Sequence, residues 1–295
     1  MSKNPSKDSA FQAWVRSMSV EVMDPARRRV RVLTDARAAE MAKERDCTLH
    51  DIYTAALDAD ICPYRYLRNR ETFSMKDQRV LFRSRVAVVG AGGLGGHVIL
   101  LLARAGIGEL VVVDPDRFDE TNLNRQALCS VKSLGRTKAG EAARQVGEVN
   151  PAVRMVPHEV RMTAANAPEL IAGSAVVVDA LDNVPDRFVL EEAARSVEIP
   201  LVHGALAGLE GQLMTVFPED AGLTQLYGKG SGRAHSPSSP EAVLGVPAFM
   251  PSLLGTLQAM EVIKIILNRH GVYRNKMLQV DLETGEMNVF TLDGG

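Results

Sequence analysis

Cysteine is scarce in this chain. Only Cys47, Cys62 and Cys129 occur, and no two lie close enough in sequence to form a CxxC pair. A disulfide framework and a zinc knuckle are both disfavoured on that count. Long apolar runs are also missing: the longest, over residues 98–103, is far too short to span a bilayer. The opening Met1-Ser2-Lys3-Asn4-Pro5-Ser6-Lys7-Asp8 stays polar and lacks the apolar core of a secretory signal. A cytoplasmic protein with no membrane partner is therefore expected. Nor is there an excess of either charge, with 34 Lys and Arg against 36 Asp and Glu. Nothing in that balance calls for nucleic acid. No internal repeat is visible.

What is present is ordinary globular composition, 46% hydrophobic and 24% charged over 295 residues. That length suits one large α/β domain carrying an appendage. Residues 1–60 hold the basic run Arg27-Arg28-Arg29 with Arg31, then Ala-, Glu-, Lys- and Arg-rich sequence with amphipathic spacing. They are read as a helical N-terminal extension whose arginines lie on a solvated helix face.

Past Arg85 the pattern becomes that of a doubly wound sheet. A strand over 86–89, a glycine-rich turn, an apolar helix over 94–105 and a strand over 110–113 make a βαβ unit. Alternation continues with a helix over 137–149, a strand over 153–157, a helix near Glu169, a strand over 175–179 and a helix over 186–197. Beyond Pro200 the strands at 201–202 and 212–217 have no long helix between them, which marks an antiparallel C-terminal part. The Gly-, Ser- and Pro-rich stretch over 218–247 is predicted to be a long mobile loop. A helix over 252–268 and a hairpin of strands over 277–281 and 287–292 close the chain.

Gly90-Ala91-Gly92-Gly93-Leu94-Gly95 sits between the first of these strands and its helix. Glycines there allow close backbone approach, and the helix start offers unsatisfied N–H groups to phosphate. Asp114 ends the next strand, where an acid meets ribose hydroxyls. So far an NAD dehydrogenase fits as well as an ATP enzyme. The stretch from Asp114 through Asn122, Asn124, Arg125 and Gln126, followed by Lys138 at a helix start, separates them. A dehydrogenase has no use for two cations beyond the ribose, whereas attack on an α-phosphorus builds charge that an Arg fork and a Lys point charge stabilise. Asp182, just past a buried strand, is placed to hold Mg²⁺ through oxygen.

On these residues the chain resembles the ThiF/MoeB/HesA branch of the ubiquitin-activating superfamily over about residues 65–292. The matching motifs are GAGGLG at 90–95, D-x-D through TNLNRQ at 114–126, GRTK at 135–138 and DALDN at 179–183. Gly208-Leu209-Glu210-Gly211-Gln212 and the stretch from Gly255 to Lys264 also match. Arg65-Tyr66-Leu67-Arg68 is similar to a segment whose second arginine reaches the ATP of the neighbouring subunit. The resemblance implies a mostly parallel Rossmann-like sheet, with residues 61–295 forming an ATP-binding adenylyltransferase domain. It further implies that Gly90, Gly92, Gly93 and Gly95 cradle ATP, that Asp114 binds ribose, and that Arg125, Lys138 and a trans-acting Arg68 contact phosphates. Asn122 and Gln126 would support the site and Asp182 would bind Mg²⁺.

The same resemblance implies a homodimer that adenylates the C-terminal glycine of a small ubiquitin-like sulfur carrier ending in Gly-Gly. The pathway would be thiamine, molybdopterin or tungstopterin synthesis, or another sulfur transfer, with a sulfurtransferase as a further partner. Three alternatives stay open: adenylation of a carboxylate on tRNA by a threonylcarbamoyladenosine dehydratase, an NAD-binding dehydrogenase, and a non-catalytic partner-binding member. The chain also departs from its relatives. Many of them carry two CxxC pairs that hold zinc, and several carry an acceptor cysteine in the loop that corresponds to 218–247; this chain has neither. Chemistry is therefore expected to stop at the adenylate, with Cys129 a small buried side chain. The terminal Gly294-Gly295 is read as flexible punctuation.

Overall fold

The structure is a computed structural model that describes residues 9–228 and 240–292. The chain opens with helix α1 (Ser9–Ser17), strands β1 (Val20–Met23) and β2 (Arg29–Leu33), helices α2 (Asp35–Glu44) and α3 (Leu49–Asp58), and the short strand β3 (Cys62–Pro63). These three strands form a small sheet in the order β1-β2-β3. The extension is thus not wholly helical, which corrects the sequence reading. Val20, Val22, Val30 and Val32 alternate with Glu21, Arg29 and Arg31, a period of two that suits a β-hairpin. The basic run turns that hairpin instead of lining a helix. Arg27 adopts a φ of 59° at the turn, Arg28 pairs with Asp24 and Glu71, and Arg31 pairs with Glu21. The helix expected after the run is present as α2, capped by Thr34.

A 3-10 turn (Tyr64–Asn69) and helix α4 (Met75–Arg83) lead into the main unit. There β4 (Arg85–Val89), α5 (Gly93–Ala105), β5 (Glu109–Val113), α6 (Lys138–Val149), β6 (Arg154–His158), α7 (Ala167–Ile171), β7 (Val176–Asp179) and α8 (Val184–Ser196) alternate, as the sequence pattern predicts. The strands β8 (Leu201–Ala207) and β9 (Glu210–Val216) form a hairpin. Short helices α9 (Thr224–Tyr227) and α10 (Pro240–Leu244) occupy the segment expected to be one structureless loop, and residues 229–239 of it lie outside the described residues. Helix α11 (Phe249–Ile266) and the hairpin of β10 (Lys276–Asp281) and β11 (Met287–Thr291) complete the fold.

The eight-stranded sheet runs β11-β10-β9-β8-β7-β4-β5-β6. The five strands from β8 to β6 in that order are mutually parallel, and β9, β10 and β11 continue the sheet antiparallel. Alternation along the strands divides the core. Val86, Val88, Leu110, Val112, Val176 and Val178 pack with α5, α6 and α11 on one face. Ala87, Val89, Val111, Val113 and Val177 pack with α7 and α8 on the other. Both faces are covered, so these strands read as unbroken apolar runs. By length and composition α11 would cross a membrane, but Met250, Leu254, Val262 and Ile263 lie in the core against the sheet.

Two buried polar side chains join the N-terminal unit to the main sheet. The Asn150 amide, wholly buried, donates to the Tyr66 hydroxyl and to the Ala103 carbonyl, each at 2.8 Å. The Gln78 amide donates to Ala105 O at 2.8 Å. Asn150→Ala strands the Tyr66 hydroxyl in an apolar surround and leaves the Ala103 carbonyl with the longer Gly106 amide bond of 3.2 Å, and is expected to cost about 2 kcal/mol. Urea unfolding monitored by circular dichroism reads this directly; a loss below about 0.5 kcal/mol would mean that the Asn150 hydrogen bonds are not what holds the junction.

Candidate active site

The turn between β4 and α5 depends on two glycines. Gly90 has a φ of +97°, and a Cβ there would stand 2.4 Å from Ala180 O. A Cβ on Gly95 would stand 1.8 Å from Gly90 O. Gly95 therefore serves helix-to-turn contact and is not among the residues that line the cleft. Gly92 and Gly93 do face the cleft, where an added Cβ would stand at ordinary contact distance, 3.6 Å, from Gln126 at the first and from Arg125 and Pro251 at the second. Gly92 caps α5 without a side-chain hydrogen bond, so the helix's first N–H groups are open to an anion.

Around this turn lies a cleft of about 590 Å³ at the carboxyl ends of β4, β5 and β7. It brings together Gly90, Gly92, Gly93, Asp114, Arg125, Gln126, Lys138 and Asp182. Asp114 is 5% exposed and accepts from the amides of Ala91 (2.7 Å) and Asp116 (2.8 Å). Burial pushes its carboxyl above the usual carboxylate range, against the pull of Lys138. The Lys138 ammonium, at the first residue of α6, donates to Asp116 at 2.9 Å. Arg125 is half-buried and anchored by Thr121 O (3.0 Å) and Asn124 Oδ1 (2.8 Å). Gln126 is 7% exposed, and its Oε1 has no partner among the described residues. A buried acceptor of that kind beside the cleft suits a donor supplied by a ligand.

Asp182 is exposed at the end of β7 and accepts from the Asn183 amide at 3.2 Å. Among the described residues no three His, Cys, Asp or Glu side chains cluster as a metal cage. One carboxylate facing a phosphate-sized cleft is nonetheless the donor set that Mg²⁺ takes when nucleotide oxygens and water fill its octahedron.

Besides Gly95, two more of the expected residues lie outside the cleft. Asn122 turns inward to accept from the Asp119 amide at 3.0 Å, closing the 3-10 turn Glu120–Asn122 that presents Arg125. Arg68 stands exposed on the Tyr64–Asn69 turn, away from its own chain's cleft, with no ion pair among the described residues. Sequence reasoning missed Asp116, Arg161 and Arg187, which also line the cleft. Asp116 and Arg161 follow strand ends, a signal that could have found them; Arg187 lies within the first turn of α8, past the strand end, and carries no such signal. All three thiols lie above their ordinary value because of burial, Cys62 at about 11. They are thus held as thiols at neutral pH.

A model of the ThiF family matches residues 66–294. The chain belongs to the ThiF family. It is 39% identical over 237 residues to the SAMP-activating enzyme E1 of Haloferax volcanii, covering 77% of this chain and 84% of that protein. It is 38% identical to the sulfur carrier protein adenylyltransferase of Thermus thermophilus, over 64% of this chain and 72% of that one. Against the adenylyltransferase and sulfurtransferase MOCS3-2 of Zea mays the identity is 35% over 81% of this chain, which spans only 50% of the maize protein. Among solved structures, E. coli MccB with ATP aligns with a TM-score of 0.65 at 19% identity, covering 78% of this chain and 71% of that one. PaaA aligns with a TM-score of 0.66 at 17% identity, covering 94% and 99%. Both share the fold.

In this ThiF-family cleft, α6 is braced by Glu141. Its buried carboxylate accepts from Arg144 (2.6 Å), Gln145 (2.9 Å) and Arg136 (3.2 Å), while Gln145 also donates to Leu128 O at 2.7 Å. Those contacts, Arg144 foremost, hold the Glu141 carboxyl at about 2, down from 4.5. A depressed carboxyl stabilises the fold above the unfolded value and loses that contribution as pH falls through the folded one. Glu141→Gln is expected to destabilise the protein by about 1–3 kcal/mol at pH 7. The gap to wild type should close between pH 4.5 and about 2. Thermal melts across that range test this, and a gap independent of pH would remove the ionic contribution.

Proposed function

We propose that this ThiF-family chain is an ATP-dependent adenylyltransferase acting on the C-terminal glycine carboxylate of a small ubiquitin-like sulfur carrier ending in Gly-Gly. The observation that carries the reading is the meeting, in one cleft, of an open helix start, a buried carboxylate at the end of β5 and two cations beyond it. The names of the Haloferax and Thermus relatives support the choice of substrate. In the reaction the carrier's carboxylate oxygen attacks the α-phosphorus of ATP. The bond to the bridging oxygen breaks and pyrophosphate leaves with the electron pair, so that an acyl-adenylate remains. The chain supplies no nucleophile, because the attacking group belongs to the substrate.

Each residue has a task in that scheme. The first amides of α5 receive phosphate oxygens. Asp114, oriented by the amides of Ala91 and Asp116, accepts from the ribose hydroxyls. Arg125 and Lys138 stabilise charge building on the α-phosphoryl and departing pyrophosphate oxygens. Asp182 would hold Mg²⁺, which when bound neutralises phosphate charge. Arg68, exposed and outside its own cleft, would complete the site of a second subunit in a homodimer. The high thiol values fit an adenylate released to an external sulfur donor, such as a sulfurtransferase, without an enzyme thioester.

Purified protein with a diglycine-ended carrier is expected to catalyse ATP–pyrophosphate exchange, and Lys138→Ala should slow it about 10²- to 10³-fold. Wild-type rates in that variant, or exchange that needs tRNA in place of the carrier, would overturn the assignment. The shared site has its own test. Mixing inactive Arg68→Ala with inactive Asp182→Ala should restore activity, because a mixed dimer holds one site with both residues intact. Sedimentation as a monomer, or no rescue after subunit exchange, would remove the trans arginine.

A further inference from the structure

Behind the cleft wall lies a buried polar group that the adenylation scheme does not use. The Tyr227 hydroxyl, at the end of α9, stands 2.9 Å from Arg187 Nη1, 3.0 Å from Gln212 Nε2 and 3.0 Å from His203 Nε2. His203 is wholly buried, with its Nδ1 2.7 Å from Asp179 Oδ2. These contacts determine where the protons sit. Arg187 and Gln212 both donate to the hydroxyl oxygen, so the hydroxyl's own proton goes to His203 Nε2. His203 is then neutral and donates from Nδ1 to Asp179. Burial, which holds this imidazole below its ordinary value, agrees with that state.

The far end of the group grips the backbone beside the expected metal ligand. Asp179 Oδ1 accepts from the Leu181 amide at 2.9 Å, and Arg187 Nη2 donates to the Leu181 carbonyl at 2.8 Å. Both polar groups of the residue before Asp182 are therefore held by the two side chains that His203 and Tyr227 orient. Gln258 adds a bond to the Asp179 carbonyl at 2.8 Å. We propose that Tyr227, His203 and Arg187 are positioning residues that clamp the Leu181–Asp182 turn, so that docking of the 218–228 segment through Tyr227 sets the aim of the Asp182 carboxylate. This rests on the reading of Asp182 as the Mg²⁺ ligand. A chain of hydrogen bonds thereby links the segment that follows β9 to the nucleotide site.

Tyr227→Phe removes one oxygen and keeps the ring that packs edge-on against His203 and Phe188. Hydrogen–deuterium exchange of the nucleotide-free protein should then quicken by about tenfold in the peptide spanning 180–183, with the strands β4 and β5 unchanged. Calorimetric ATP binding should need about 10-fold more Mg²⁺ for half-saturation, while binding without Mg²⁺ stays as in wild type. Uniformly faster exchange across the whole sheet would reduce Tyr227 to a packing role and overturn the proposal, as would unchanged exchange at 180–183. Asp182→Ala serves as the separate control. If it leaves the Mg²⁺ dependence unaltered, the metal reading fails, and the exchange at 180–183 alone decides the clamp.

Discussion

The site depends on a contact between backbones. Gly95 stands so close to the Gly90 carbonyl that no side chain fits, and Gly90 in turn lies against the Ala180 carbonyl beyond β7. That approach draws the start of α5 down onto the ends of β4 and β7. The helix's open amides and the Asp182 turn thereby face one cleft. A methyl group at either glycine would push these elements apart by a good part of an ångström or more. The parallel strands alone do not create the site; the absence of two side chains at their ends does.

Electrostatics then sort the cleft into fixed and available charge. Asp114 is buried and held by backbone amides, so it stays in place whether or not nucleotide is present. Lys138 is held in readiness by the exposed Asp116, a pairing that a more highly charged phosphate can outcompete. Among the described residues Arg125 is tied to a carbonyl and an amide oxygen, neither of which cancels its charge. The cations thus remain electrostatically available although their geometry is restrained, which is what stabilisation of a transient anion requires.

Much of the main unit was legible because each of its signals is local. The unbroken valine runs, the glycine turn and the amphipathic helices specify strands and helices one element at a time. The hairpin at the N-terminus was not, because Arg29 and Arg31 drew the reading towards a charged helix face while the alternating valines carried the true period. Gly92, Gly93, Asp114, Arg125, Gln126, Lys138 and Asp182 were found by motif, and the structure brings them together. Asn122 and Gly95 sit within the same motifs, yet they shape the backbone and do not face the cleft. A motif records which residues travel together and does not distinguish those that touch a ligand from those that fold the loop.

What the sequence determined by itself was the family, the order of the elements and the residue types at the strand ends, since all of these are written in spacing and chemistry along the chain. What only the tertiary structure decided was how distant segments meet. Tyr227 reaches His203, Arg187 and Gln212 from three other elements, and Asn150 spans from α6's end to Tyr66 and Ala103. No local pattern announces such partners. A buried hydroxyl or amide must find donors and acceptors wherever the packed backbone places them, and that placement is set by the summed geometry of the whole sheet.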